Sequence, residues 1–302
     1  MTWETNQAAS LKLLRGGTDS WQLHLKAASS IIPALTAAWK TSGISTTSAS
    51  ASYTERLDRG DTPPNGDEIA CDFLVGTFIW FDIISCASTR SKPLLENNFE
   101  YVGNIELDKV MGCENWVMIL IAKISLLEGW KRDLQKTGRL SVVELSARSS
   151  EIEKLLNSGL ASQTLYALCP TRHISLITRI FAYSALTYLH TVVSGAHPDL
   201  AEIKASVSMT IAAFKNLPAP RLLQNLVWPF CVAGCMASRD IEPCCRNLVM
   251  AAGEDAKCLG NYWKAFEVIQ ECWRLREIQG GENKAVDWTT AMESLGFQVL
   301  LV

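Results

Sequence analysis

The chain has 302 residues, 48% hydrophobic and 20% charged, enough apolar material for one large core or two ordinary ones. That balance excludes disorder of the whole chain. A net charge of -3 and a pI near 5.9, with no Lys/Arg cluster beyond pairs such as Lys131-Arg132, are unlike a nucleic-acid-binding module, whose affinity comes largely from neutralising phosphates.

In chain order, residues 1–18 are polar and hold no apolar segment of the kind a signal peptide needs; they read as a poorly ordered N-terminus. Asp19 and Ser20 supply capping oxygens for a helix over 19–40, which ends before Thr41-Ser42-Gly43. The Ser/Thr/Ala/Gly tract that follows, with Pro63-Pro64 near its end, reads as a mobile connection over 41–66. Further helices are expected at 67–90, 108–137, 142–157, 161–193 and 198–216, then at 220–239, 241–252, 256–278 and 286–298. Their apolar residues recur at helical spacing, as in Ile174, Ile177, Phe181, Ala185, Tyr188 and Val192.

Gly195, with Pro198 beyond it, closes the 161–193 helix. Pro218 and Pro220 separate the next pair, and Pro229 either kinks its helix or marks a late start. The ending Gln298–Val302 reads as strand or helix alike. No alternating strand and no fixed repeat period stands out. The expectation is an all-α fold: a single multi-helix domain over 19–302, of about 9–11 helices in antiparallel pairs.

The chemistry-bearing residues support no particular site. The ten cysteines fall mostly inside apolar helical patterns, where a free thiol packs as a small hydrophobe. There is no Cys-x2-Cys; Cys231 and Cys235 share a helix face without a second pair to close a tetrahedron, and Cys244-Cys245 diverge. A reducing intracellular compartment is the simplest setting for so many unpaired thiols. The apolar runs Phe73–Phe81 and Val117–Ala122 are too short to span a bilayer.

His24, His173, His190 and His197 accompany no Gly-x-Ser-x-Gly elbow and no phosphate loop, and His24 lies in an apolar helix face. Asp67, Glu68 and Asp72 lack the spacing of a magnesium-binding aspartate motif; Asp67 and Glu68 suit the first turn of a helix. Trp39, Trp80, Trp116 and Trp273 sit at core spacing, although indoles also line ligand pockets. Catalytic and metal-binding residues are accordingly none, and a cofactor site is unknown.

Several blocks carry a family resemblance. Trp21-Gln22-Leu23-His24-Leu25-Lys26-Ala27-Ala28 is similar to a Trp-x-x-His-Leu-x-Gly-Ala element, with Ala27 in place of Gly. Phe73–Ser85 with Asp82 inside it, Met111-Gly112-Cys113-Glu114-Asn115, and the Ile121–Leu127 helix follow. Then come Trp228-Pro229-Phe230 through Ala237, Trp273, and Asp287-Trp288 before the Leu-Leu-Val ending. In this order and spacing they resemble the regulatory region of fungal zinc-cluster transcription factors.

The resemblance implies an all-α effector domain, controlling transcription in the nucleus by sensing a small molecule or binding protein partners. It implies zinc only in an N-terminal Zn(II)2Cys6 cluster, beginning Cys-x2-Cys-x6-Cys, and this chain has no cysteine before Cys71. No direct nucleic-acid or membrane partner is therefore expected of these residues. Three settings fit: part of a longer regulator, a free-standing cofactor or antagonist acting through partners, or a scaffold reused as a small-molecule binder or enzyme of a secondary-metabolite pathway.

Overall fold

Apolar residues at three- and four-residue intervals turn whole helix faces inward, and the computed structural model of the chain is helical, without a strand among the described residues. The structure describes residues 21–30, 66–94, 107–165, 172–253, 261–278 and 285–302. The expected helix residues 31–40 and the connection up to residue 65 lie outside them, as do Asp19, Ser20, Trp39 and the 1–18 segment.

The helices are α1 (21–30), α2 (Gly66–Thr89), α3 (Leu107–Met111), α4 (Asn115–Lys136), α5 (Val142–Leu165) and α6 (Arg172–Ser194). After these come α7 (Ala201–Phe214), a 3-10 turn (Pro220–Asn225), α8 (Val227–Cys235), α9 (Glu242–Ala251), α10 (Tyr262–Ile278) and α11 (Trp288–Leu295). α6 is central, packed against α4, α5, α7 and α8. Its stretch Ile174–Ser194 is long and apolar enough to cross a membrane, contrary to the sequence expectation. Of its most apolar window, however, 72% is buried inside the domain, as befits a core helix. α10 packs between α8 and α11, and α2 lies on α4.

Four sequence expectations need correction. The helix expected over 108–137 is two: Gly112 takes a left-handed φ of 75°, open to glycine at no steric cost, and the chain turns there before α4. The break expected between 157 and 161 does not occur. Gly159 is interior to α5 because Trp116 lies on it: a Cβ there would come within 2.5 Å of the indole ring. The helix expected over 220–239 begins only at Val227, which is the late start, and not the kink, of the two readings of Pro229. Pro229 sits in the first turn of α8, where its missing N–H is no loss, and the 3-10 turn precedes it. His24 is exposed, although Trp21 and Leu25 on the same helix are buried.

The ending is neither strand nor helix. α11 is capped at its start by Asp287, whose side chain accepts from the Thr290 N–H, and at its end by Gly296 with φ 73°. Val299, Leu300, Leu301 and Val302 are then buried in irregular chain. The Trp21 indole donates to the Gln298 carbonyl at 3.4 Å, and the Asn261 amide donates to that of Leu300. These bonds tie the segment to α1 and to the start of α10, and the Val302 N–H adds a second donor to the Leu300 carbonyl at 2.9 Å.

Candidate functional site

α4 and α5 form a helical hairpin joined by residues 137–141, and each presents a stripe at spacing i, i+3, i+4, i+7 along one side of a groove. Lys123, Leu126, Leu127 and Trp130 come from α4, and Arg148, Glu151, Ile152 and Leu155 from α5; the cavity is about 400 Å³. Leu127 and Ile152 are buried and form the floor. Lys123 and Leu155 are exposed and Trp130 is half-buried.

The Arg148 guanidinium sits over the Trp130 ring, 4.5 Å from its centroid, a cation–π contact. It also donates from Nε and Nη2 to Glu144 Oε1 at 3.0 and 2.7 Å. The lining combines apolar surface with the charged groups of Lys123, Arg148 and Glu151.

The other concentration of polar groups is internal and ties the C-terminal helix to the core. Arg90 follows the last residue of α2 with φ 56°, while the Ser91 N–H bonds to the Cys86 carbonyl. This is the Schellman cap that glycine usually makes. The Arg90 guanidinium lies 3.1 Å from Glu128 of α4 and 2.8 Å from Asp287 at the start of α11. It sits 5.2 Å from the Trp288 ring centroid. Its Nε and Nη2 make no directed hydrogen bond, so the pairing is charge contact. The Arg90 carbonyl in turn accepts from Arg132.

Tyr188 of α6 donates to Glu128 Oε2 at 2.6 Å, and the Trp288 indole donates to the Ser88 carbonyl at 3.0 Å. Burial raises the Asp287 pKa, but Arg90, the Thr290 N–H and the Thr289 and Thr290 hydroxyls outweigh it and hold the carboxyl below its usual value. Burial likewise lowers that of Arg90, and Asp287 and Glu128 more than compensate. Tyr188 is pushed well up by burial, with the Glu128 carboxylate adding to it.

The remaining candidates from the sequence are dispersed. Cys231 and Cys235 share a face, with sulfurs 4.0 Å apart, and Cys235 also meets Cys272 of α10. All three are buried, and burial pushes the Cys235 and Cys272 thiols well up. Among the described residues no three Cys, His, Asp or Glu side chains converge where a metal ion could bind. These sulfurs do not fit a zinc cluster.

His190 faces Glu153 at 3.4 Å. The His197 ring packs beside Gly195 at the end of α6. The side chains of Asp67, Glu68, Cys71, Asp72 and His173 lie outside the described residues. Trp80 and Trp273 are buried as expected, whereas Trp116 is only partly so; its indole donates to Glu114 Oε2 at 2.8 Å.

Over residues 8–302 the chain matches the fungal specific transcription factor domain. It belongs to that family. It is 40% identical to the trichothecene biosynthesis transcription regulator TRI10 of Trichoderma arundinaceum, over 98% of this chain and 72% of that protein. It is 33% identical to the TRI10 of Fusarium sporotrichioides, over 93% of this chain and 68% of that protein. It is 28% identical to the transcription factor ntnD of a Nectria species, of which it covers 47%. No solved structure matches.

The blocks that suggested the fungal transcription factor domain are structural. Trp228 and Phe230 are fully buried, Trp273 donates from its indole to the Gly234 carbonyl at 2.9 Å, and Asp287-Trp288 anchors α11. Neither Arg90 nor the Trp130–Arg148 pair was singled out from the sequence. The available signals were a lone acid, Glu128, in an apolar stripe of α4, and matched helical stripes on α4 and α5.

Proposed function

We propose that this chain is the effector part of a transcription regulator of a fungal secondary-metabolite pathway, acting in the nucleus through protein partners. The observation that carries the reading is similarity along nearly the whole chain to two regulators of trichothecene biosynthesis. Regulation, and not catalysis, is its role. What supports this is that the curated relatives are themselves transcription regulators. Contact with DNA is not made by these residues, in line with the net charge of -3.

Fusing the chain to an unrelated sequence-specific DNA-binding module upstream of a reporter tests the proposal. The fusion is expected to change reporter transcription several-fold relative to the module alone. The unfused chain is expected to give no salt-dependent shift of duplex DNA at physiological ionic strength. A folded nuclear fusion that leaves the reporter unchanged, or tight duplex binding by the chain alone, contradicts it.

A further inference from the structure

We propose that the α4–α5 groove docks an acidic amphipathic helix of a partner protein, one with carboxylates two turns apart flanking an apolar turn. This deepens the reading of the chain as a regulator working through partners and rests on it for its biological meaning. The binding chemistry stands on the groove itself.

The argument is charge placement. The helices of the hairpin run antiparallel, so the Arg148–Trp130 contact fixes their register and sets Leu155 opposite Lys123. One end of the groove therefore carries the Arg148 guanidinium and the other the exposed Lys123 ammonium. Lys123 and Trp130 are two turns apart on α4, about 10 Å at 1.5 Å per residue. Between them lie Leu126 and the floor residues Leu127 and Ile152, with Glu151 the one acid of the lining.

A helix laid along the groove with carboxylates at i and i+7 meets both cations. Its apolar residues at i+3 and i+4 then meet the floor, the helix-in-groove mode of recognition. The fork of Arg148 is preset by its stack on Trp130. Its bond to Glu144 is an exposed i,i+4 pair, side chains 51% and 47% accessible, of a kind that contributes little. The guanidinium therefore stays available to an incoming carboxylate.

Two other occupants fit less well. A small molecule would remain largely wet beside exposed Lys123 and Leu155, whereas ligand pockets bury most of their guest. A second copy meeting the groove through a two-fold axis would present the same surface to itself, setting cations against cations.

Selection of displayed helical peptides of about 15 residues against the purified chain tests this. The expected winners carry Asp or Glu seven positions apart around Leu, Met or Phe. Their affinity should fall at least tenfold with the double variant Lys123→Glu, Arg148→Glu. That variant should instead prefer the same peptide with Lys at the two flanks. Both residues are at the surface, so the double variant should still fold, with a thermal midpoint only a few degrees below wild type for the lost Trp130 and Glu144 contacts. Leu155→Asp, which touches neither contact, offers an independent loss of binding.

The proposal is overturned if no helical sequence is enriched, if enriched peptides bind wild type and the double variant alike, or if a medium-chain fatty acid occupies the groove in place of peptides. Self-association abolished by Leu155→Asp in sedimentation would overturn it in favour of a second copy. Reporter activity of the tethered chain that survives the double variant sinks the docking role alone. A chain that binds such peptides but leaves the reporter silent sinks the regulatory reading alone.

Discussion

Arg90 holds a left-handed backbone that glycine would adopt freely, and its side chain accounts for the exception. At φ 56° a residue with a Cβ costs roughly 1 kcal/mol, offset here by the guanidinium between Glu128 and Asp287. Removing it leaves two buried carboxylates without their cation, so Arg90→Ala is expected to lose about 3 kcal/mol in urea unfolding. Arg90→Gly should lose about 1 kcal/mol less, because the backbone strain is relieved. Equal losses would show that the backbone at this position carries no strain. Asp287 gives the pH dependence. Its folded pKa lies below the unfolded value of about 3.9, so its stabilisation is full above that value and lost as pH falls through the folded pKa. Stability measured from pH 5 downward should therefore decline less steeply in Asp287→Asn than in wild type, and identical slopes would remove Asp287 from the acid response. None of this was legible locally. Asp287-Trp288 could be read as a helix start, but the Ser88 carbonyl that receives the Trp288 indole is 200 residues away in sequence.

Between elements, the close approach of α8 and α10 leaves no room for a single added methyl group. A Cβ on Gly234 would stand 2.5 Å from Ile269 Cδ1 and 2.9 Å from Cγ1, too near for either atom to stay in place. The overpacking cost of about 1–3 kcal/mol outweighs the gain in helix propensity of about 1 kcal/mol, so Gly234→Ala should lower the urea midpoint. Its cost should shrink in an Ile269→Val background, where the terminal methyl is gone, and an unchanged cost would place the strain elsewhere. The same interface holds Cys235 and Cys272, buried and with raised pKa values, so little thiolate is available for attack. Alkylation read by mass spectrometry should reach them only as fast as the helices open, and rapid labelling in native buffer would contradict the packing. Ala233, Gly234 and Ala237 are small enough to admit a close neighbour, but nothing near them in sequence says that the neighbour is α10. Gly112 and Gly159 mark the limit of such reading. Gly112 falls inside the helix expected over 108–137 and ends one, whereas Gly159 falls in the break expected between 157 and 161 and lies inside α5, where Trp116 of α4 fills the space it leaves.

At the scale of the molecule, the helical class and most element positions follow from periodicity, because burial of one face repeats along each helix. The groove does not follow. The stripes Lys123–Trp130 and Arg148–Leu155 look like any amphipathic face until their neighbours are known, and only then is it clear that they line an open groove among the described residues. What the chain does is carried by its kinship with fungal pathway regulators; the α4–α5 groove is where a partner is proposed to dock. The central claim, that it controls transcription and catalyses no pathway step, is tested most directly by deleting its gene in the fungus that carries it and measuring pathway transcripts. Those transcripts should change several-fold together and return when the wild-type chain is restored. Unchanged transcripts, with a single pathway intermediate accumulating instead, would show that the chain is an enzyme of the pathway and contradict the account.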